Sequence, residues 1–176
     1  MQVLPQFPNA YGELQESIYN FDWAKGFAVE RQYDFHTNEQ ERLTRRSISD
    51  VVAGVDRPLG RITLPVNPPT LQGFTTVNDT LFRWDGIANL GSGASVATDP
   101  ILMEQWDWGT GVRIAARAFP TLGQVDGAWL DGAYEPEGCS VHRRPDGTAS
   151  LIVGVVVGAA GDHRWPVYEF AGVGTA

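Results

Sequence analysis

The chain has 176 residues, of which 43% are hydrophobic and 19% are charged, and its formal net charge is −8. A chain of this length and composition can bury a core without help from a metal or disulfide, and a single cysteine, Cys139, excludes an internal disulfide. The acidic balance, with one lysine and scattered arginines, argues against nucleic acid as a partner.

Neither a membrane span nor a secretory signal is predicted. The most apolar run, residues 151–161, is too short to cross a bilayer and is interrupted by glycines. Residues 1–11 lack the basic and apolar regions of a signal peptide. The sequence therefore predicts a soluble protein, cytoplasmic or virion-associated, with no membrane partner.

The first third of the chain mixes strand and helix signals. Residues 1–11 carry prolines, and we predict an extended arm docked on its own domain or on a neighbouring subunit. Residues 12–24 suit a short helix or a lead-in strand. Residues 27–35 alternate apolar and polar side chains, which predicts a strand.

Two alternatives remain for residues 38–53. The spacing of Thr37 and Gln40 is that of a capping box, which predicts a helix ended by Gly54, whereas a second strand returning from residues 27–35 is the rival interpretation. The basic residues of this segment are expected to form a solvated face paired with acidic neighbours. They are Arg42, Arg45 and Arg46, opposite Glu39 and Glu41.

Residues 56–70 contain four prolines, and we interpret them as an internal connection within a single domain, 1–176. Beyond them, Asp-Gly pairs between hydrophobic runs predict hairpins, most clearly at Asp146-Gly147, where Gly147 should adopt positive φ. Further strands are predicted at 74–84, 100–108, 111–119, 139–144, 148–157 and 164–171. The predicted fold is mainly β, an antiparallel β-sandwich or β-barrel with at most one or two short helices.

The stretch Met103–Gly111, MEQWDWGTG, is the most distinctive in the chain. On a strand, Glu104, Trp106 and Trp108 would share one face, so Glu104 and Asp107 cannot form a carboxylate pair. Two indoles on one face could pack in the core, anchor a subunit interface, or stack on a sugar or an apolar ligand.

Similar Trp-acid-Gly groups recur near residues 84 and 129 at intervals of 22 or 23 residues, which would suit one hairpin per unit of a repeat β architecture. With three copies and no match between them, we prefer coincidence in a Trp- and Gly-rich β protein. The ligand-platform alternative uses the tryptophans of these groups together with one acid. These candidate ligand-binding residues are Trp84, Glu104, Trp106, Trp108 and Trp129.

Signals for catalysis and metal binding are weak. Candidate catalytic residues are Glu104 and the adjacent pair Asp162 and His163, which could include a general base. Cys139 and His142 would lie on opposite faces of a strand, so no metal site is predicted. No cofactor motif is present, and no cofactor is expected.

Three functions are therefore compatible with the sequence. The first is a non-enzymatic β-rich interaction or structural protein, a subunit of a homomeric or virion-like assembly. The second is a module that binds a carbohydrate or an apolar ligand through a tryptophan platform. The third is a small β-barrel cyclase or isomerase with an aromatic cavity. Other copies of the chain or other protein subunits are the expected partners.

Overall fold

A computed structural model describes residues 6–8, 12, 17–33, 40–65, 71–86, 89–90, 101–120, 122, 133–159 and 161–174. These residues form antiparallel strands and one short helix, which confirms the predicted mainly antiparallel β class. The elements are β1 (Ser17–Asp22), β2 (Phe27–Tyr33), β3 (Gln40–Ser47), α1 (Ile48–Ala53), β4 (Gly60–Pro65), β5 (Leu71–Val77), β6 (Thr80–Asp85), β7 (Asn89–Leu90), β8 (Ile101–Asp107), β9 (Arg113–Phe119), β10 (Ala133–Arg143), β11 (Ala149–Gly158) and β12 (Val167–Gly174). Within the described ranges, no helix is long and apolar enough to cross a membrane.

The contacts of the chain divide it into two compact units. Unit 1 comprises Met1–Asn67 and Asp107–Val112, and unit 2 comprises Pro68–Trp106 and Arg113–Ala176. Unit 1 holds the four-stranded sheet β1-β2-β3-β4, and unit 2 holds the sheets β5-β6-β8-β9 and β12-β11-β10-β7. One boundary, between Asn67 and Pro68, falls within residues 56–70, which we interpreted as an internal connection. The single domain stays a prediction.

In unit 1, the described part of residues 12–24 is a strand, and residues 38–53 contain both a strand and a helix. Residues 17–22 form β1, and residues 40–47 form β3, which pairs with β2 on one side and β4 on the other. The predicted helix therefore starts at Ile48 rather than near residue 38. The Ser47 side chain caps it by accepting from the Asp50 N–H, and Gly54 ends it at φ 70°, as predicted.

The arginines of β3 correct one expectation. Arg45 and Arg46 are buried, at 9% and 1% exposure, instead of forming a solvated face. The Arg46 guanidinium donates to Glu30 at 2.5 Å and to Asp56 at 2.7 Å. The polar face of β2, with Glu30 and Gln32, is also buried. Arg46 neutralises the charge of Glu30 there, which makes its burial possible.

Part of the N-terminal arm is docked on its own unit. Phe7 is 3% exposed and packs with Ala28 and Val51. The Arg46 guanidinium lies 4.1 Å from the Phe7 ring centroid, and the Gln32 side chain donates to the Phe7 carbonyl at 3.0 Å. Most of residues 1–11 lie outside the described residues, so docking of the whole arm stays a prediction.

In unit 2, the hairpin predicted at Asp146-Gly147 is present. β10 and β11 pair across the turn at Asp146-Gly147, and Gly147 has φ 85°, which confirms the predicted positive value. The segment predicted as one strand at 74–84 is instead two, β5 and β6, joined by a turn in which Asn78 has φ 54°. Asparagine tolerates this left-handed conformation better than most residues.

The two sheets of unit 2 pack through Trp84 and a glycine contact. Trp84 is fully buried, and its indole N–H donates to the Gly154 carbonyl of β11 at 3.3 Å. Gly73 of β5 approaches β10 so closely that an added Cβ would lie 2.6 Å from the Cys139 nitrogen. A side chain at residue 73 would push the two sheets apart, so glycine is required there.

Candidate functional site

The stretch Met103–Gly111 runs along β8 and into the turn before β9. Glu104 and Trp106 share a face, as a period of two requires, and the indole N–H of Trp106 donates to Glu104 Oε2 at 3.1 Å. The strand ends at Asp107, so Trp108 lies in the turn rather than on the strand.

Glu104 is the centre of a buried ion-pair network in unit 2. It is 5% exposed and accepts from Arg113 Nη1 at 2.6 Å and from Arg83 Nη1 at 3.4 Å. Arg83 Nε also lies 2.7 Å from Asp85 Oδ1. Two guanidinium groups and one indole engage the Glu104 carboxylate, an arrangement that ties β6, β8 and β9 together. Its catalytic role stays a prediction.

The predicted tryptophan platform is dispersed. Trp84 belongs to the core of unit 2, and Trp106 is half-buried beside Glu104. Trp108 is 3% exposed within unit 1, where the Arg45 guanidinium lies 5.2 Å from its ring. Trp129 lies outside the described residues. Ligand binding by these side chains therefore stays a prediction.

The remaining candidates are separate from Glu104. Asp162 and His163 are exposed in the connection between β11 and β12. Cys139 is buried, and burial raises the pKa of its thiol to about 12, whereas His142 is exposed, in line with the predicted opposite faces. In the described ranges, no three His, Cys, Asp or Glu side chains are grouped as metal ligands would be.

Unit 2 contains a cleft of about 500 Å³ between side chains of β8, β9, β11 and β12. Its buried lining is apolar and includes Phe82, Met103 and Leu151. Gln105 of β8 and Arg117 of β9 add polar side chains to the lining. Ligand sites of about 300–1,000 Å³ are usually mostly apolar, whereas polar and apolar surface contribute about equally to the lining of this cleft.

Aromatic rings form one wall of the cleft. Phe119 and Phe170 are both half-buried, with ring centroids 4.9 Å apart, and the buried Trp84 ring lies 6.0 Å from the first and 6.5 Å from the second. The Arg117 guanidinium lies 5.0 Å from the Phe119 centroid. The wall thus combines apolar ring surface with a cation.

The cleft lining also holds a carboxylate, Glu169, which an arginine outside the lining neutralises. Glu169 lines the cleft from β12 and accepts a hydrogen bond from Arg144, which forms an ion pair with it. Among the described residues of the cleft lining, Arg117 is the one cation and Glu169 the one carboxylate, and Arg144 pairs with that carboxylate.

Unit 1 has an aromatic group of its own, which sequence reasoning missed. Tyr19, Phe21 and Trp23 stack along β1, with centroid distances of 6.1 Å and 5.0 Å between successive rings. Trp23, in the turn after β1, is 72% exposed. The alternation of aromatic residues in YNFDW, residues 19–23, is the signal that could have identified this ladder.

Comparison with known proteins gives three results. A family model described as "Phage 5-bladed beta propeller receptor binding platform domain" matches residues 17–169. A Bacillus subtilis (strain 168) protein named "Putative major teichoic acid biosynthesis protein C" is 27% identical over 143 residues, which cover 80% of this chain and 30% of that protein. The solved tail fibre of Staphylococcus aureus phage P68 is 22% identical, with a TM-score of 0.72 over 90% of this chain and 29% of that one.

These results agree with the described sheets. Propeller blades are four-stranded antiparallel sheets, and each of the three sheets formed by the described residues has four strands. The chain spans about 30% of the length of the Bacillus subtilis relative. Because the family model matches most of the sequence, the chain belongs to the family of phage five-bladed β-propeller receptor-binding platform domains.

Proposed function

We propose that this chain is a non-enzymatic host-binding domain of a phage tail fibre and is part of the virion. The observation that carries this proposal is the family match over residues 17–169. The likeness to the tail fibre of phage P68 supports it at the level of the fold. The proposal joins two of the functions compatible with the sequence, a subunit of a virion-like assembly and a ligand-binding module.

The cleft of unit 2 is the proposed binding site for the host surface. Its aromatic wall offers apolar ring faces to a flexible chain, while Arg117 and Gln105 offer hydrogen-bond donors. Such a combination favours binding over catalysis, which needs an acid or base held against a reacting atom. The acid expected for that purpose, Glu104, instead bonds to Arg83, Arg113 and Trp106.

The proposed ligand is an anionic cell-wall polymer of the teichoic acid type. The name of the Bacillus subtilis relative supports this class. The chemistry of the cleft also supports it, because the Arg117 guanidinium can donate hydrogen bonds to a phosphate while Phe119 and Phe170 contact the polymer backbone.

Cell-wall sedimentation tests this proposal. The protein is mixed with walls of Bacillus subtilis and of Staphylococcus aureus, before and after chemical removal of teichoic acid, and the bound fraction is measured. We expect binding to at least one intact wall and loss of that binding after removal. Arg117→Gln should weaken binding about fivefold or more, because a charge-assisted hydrogen bond contributes about 1 kcal/mol or more.

Arg57→Gln is the matched control, because it removes the same charge from a side chain of unit 1 that is 72% exposed. It should bind like the wild type. Equal binding to intact and stripped walls, or equal losses in Arg117→Gln and Arg57→Gln, would contradict the proposed ligand and site.

Assembly into an oligomer is a second part of the proposal. A fibre subunit is expected to associate with other subunits. Other copies of the same chain are the first expectation, because most oligomeric proteins are built from repeated chains. Sedimentation equilibrium of the purified chain measures this directly. A mass above that of one chain, 19.2 kDa, supports homo-oligomers, and a monomer at all concentrations argues for other subunits.

A further inference from the structure

One turn sequence occurs twice in the chain. The pattern Asp-Trp-x-x-Gly is found at residues 22–26, after β1, and at residues 107–111, after β8. Both copies connect two antiparallel strands, and the last glycine has φ 73° in the first and φ 69° in the second. Both turns therefore share a tryptophan at the second position and a left-handed glycine at the last.

The aspartate fixes both turns in a similar way. Asp22 Oδ1 accepts from the Lys25 N–H at 3.3 Å, and Asp107 Oδ1 accepts from the Thr110 N–H at 2.7 Å. In the first turn, the Gly26 carbonyl also accepts from the N–H of Ile48, the first residue of α1. Hydrogen bonds at Asp22 and at Gly26 thus hold the first turn, and Trp23 extends from it.

The two tryptophans differ in what covers them. Trp108 lies against Gly60, where an added Cβ would be 3.4 Å from the indole, and is 3% exposed. Trp23 stacks on Phe21 at 5.0 Å with an interplanar angle of 21°, and is nevertheless 72% exposed. Its indole is oriented by the ladder, yet most of its surface remains available.

The residues between Trp and Gly differ in charge. The covered turn has Gly109 and Thr110, whereas the exposed turn has Ala24 and Lys25, the one lysine of the chain. Lys25 is exposed, and its backbone position is fixed by Asp22. The side chains of Trp23 and Lys25 are thus both exposed on the same five-residue turn.

We infer that the turn of Trp23 and Lys25 is a binding site for an anionic sugar, with the sugar ring on the indole and the anionic group on the ammonium. This site goes beyond the proposed function, because it lies in unit 1 and uses none of the cleft residues. The apolar face of a sugar ring matches an aromatic face, and a phosphate or carboxylate group is the natural partner of a lysine.

The lysine also favours a sugar over a protein partner. Lysine is depleted in protein interfaces relative to the rest of the surface, because burying its ammonium removes strong hydration. In the covered turn, where Trp108 is packed within the protein and beneath Arg45, the corresponding residue is the uncharged Thr110. If a partner protein buried the turn of Trp23 as the chain buries that of Trp108, an uncharged residue would be expected at position 25.

Nuclear magnetic resonance of the ¹⁵N-labelled protein tests the site with glucose 1-phosphate as the probe. The indole N–H signal of Trp23 is identified by its absence from Trp23→Ala, which should fold because the side chain is exposed. We expect this signal to shift and saturate in the millimolar range. Glucose should bind about two- to fivefold more weakly, which is the contribution of one exposed ion pair.

One further variant and one internal control make the outcome decisive. Lys25→Gln should remove the difference between glucose 1-phosphate and glucose. The signal of Trp165, which is 63% exposed in unit 2, should not shift. An unmoved Trp23 signal, an equal shift of Trp165, or an unchanged sugar preference in Lys25→Gln would overturn the inference.

A protein interface would give a different result. If Trp23→Ala lowers the mass in sedimentation while glucose 1-phosphate has no effect, the turn binds a protein and the inference is wrong. Arg117→Gln should leave the Trp23 titration unchanged, so failure of this site and failure of the cleft can be distinguished.

Discussion

The two Asp-Trp-x-x-Gly turns share a sequence pattern and a last glycine with positive φ, but their tryptophans have opposite exposures. Trp23 is 72% exposed and Trp108 is 3% exposed. Both follow an aromatic residue at i−2, Phe21 and Trp106, and both are followed by a glycine with positive φ. The local pattern is thus shared, whereas residues distant in sequence decide whether the tryptophan is buried. For Trp108 these are Gly60 and Arg45 of its own unit.

Removing the two indoles separates these contributions most strongly. Trp108→Ala should lower the free energy of unfolding by about 3–5 kcal/mol, because it leaves a large cavity in unit 1. Trp23→Ala should lower it by about 1 kcal/mol or less, which is the contribution of stacking on Phe21. Urea denaturation of both variants measures the difference, and equal losses would show that exposure does not separate the two turns.

The strand before the covered turn offers the next test. Glu104→Ala should cost about 3 kcal/mol, because it leaves the 6%-exposed Arg83 without one of its carboxylate partners. Arg113→Ala, which removes a partner whose side chain is 54% exposed, should cost less than about 1 kcal/mol. Both values come from urea denaturation, and a larger loss in Arg113→Ala would refute the buried network as the main stabilising element.

The glycines test whether the two turns are equivalent. Gly26→Val and Gly111→Val should each lower the free energy of unfolding by about 1–3 kcal/mol, because valine is strained at positive φ. Ala24→Val, in the same turn as Gly26, is the control and should have little effect. Losses that differ widely between Gly26→Val and Gly111→Val would mean that the turns are not equivalent.

The smallest effect concerns pH. The side-chain hydroxyl and backbone N–H of Thr110 donate to Asp107, and these hydrogen bonds hold the pKa of Asp107 below its ordinary value of 3.8. Because the folded-state pKa is lowered, the stabilisation is present above pH 3.8 and is lost as the pH falls through the folded value.

A titration of the Asp107 carboxyl carbon by nuclear magnetic resonance measures this pKa. Thr110→Ala should raise it towards 3.8. A midpoint at or above 3.8 in the wild-type protein would contradict the hydrogen-bonded turn.

The β class could be predicted because its signals are local. Period-two alternation predicted β2, and Asp-Gly predicted the hairpin at Gly147. Of the two alternatives for residues 38–53, the rival strand is found at 40–47 and the helix only at 48–53, because β3 pairs with strands on both sides, which a capping pattern cannot reveal. The propeller class was not among the predicted alternatives, since hairpin signals are the same in sandwiches, barrels and propellers.

The cleft could not be predicted for a related reason. Phe119 and Phe170 belong to strands that are far apart in sequence, and the position of the Arg117 guanidinium over the Phe119 ring depends on the folded sheet. The sequence did show that Glu104 and Trp106 share a face, because that follows from the strand period alone. Burial of Arg45 and Arg46 was missed, since a cluster of arginines resembles a solvated surface until its partners are known.

The central claim, that the cleft of unit 2 binds an anionic cell-wall polymer, is tested most directly by calorimetric titration with purified teichoic acid. The wild-type protein should bind with an affinity that falls as salt is raised, because screening weakens the contact of Arg117 with the polymer charge. Arg117→Gln should weaken binding about fivefold or more, and Arg57→Gln should not. Undetectable binding by the folded wild-type protein, or an affinity unchanged in Arg117→Gln, would contradict the claim.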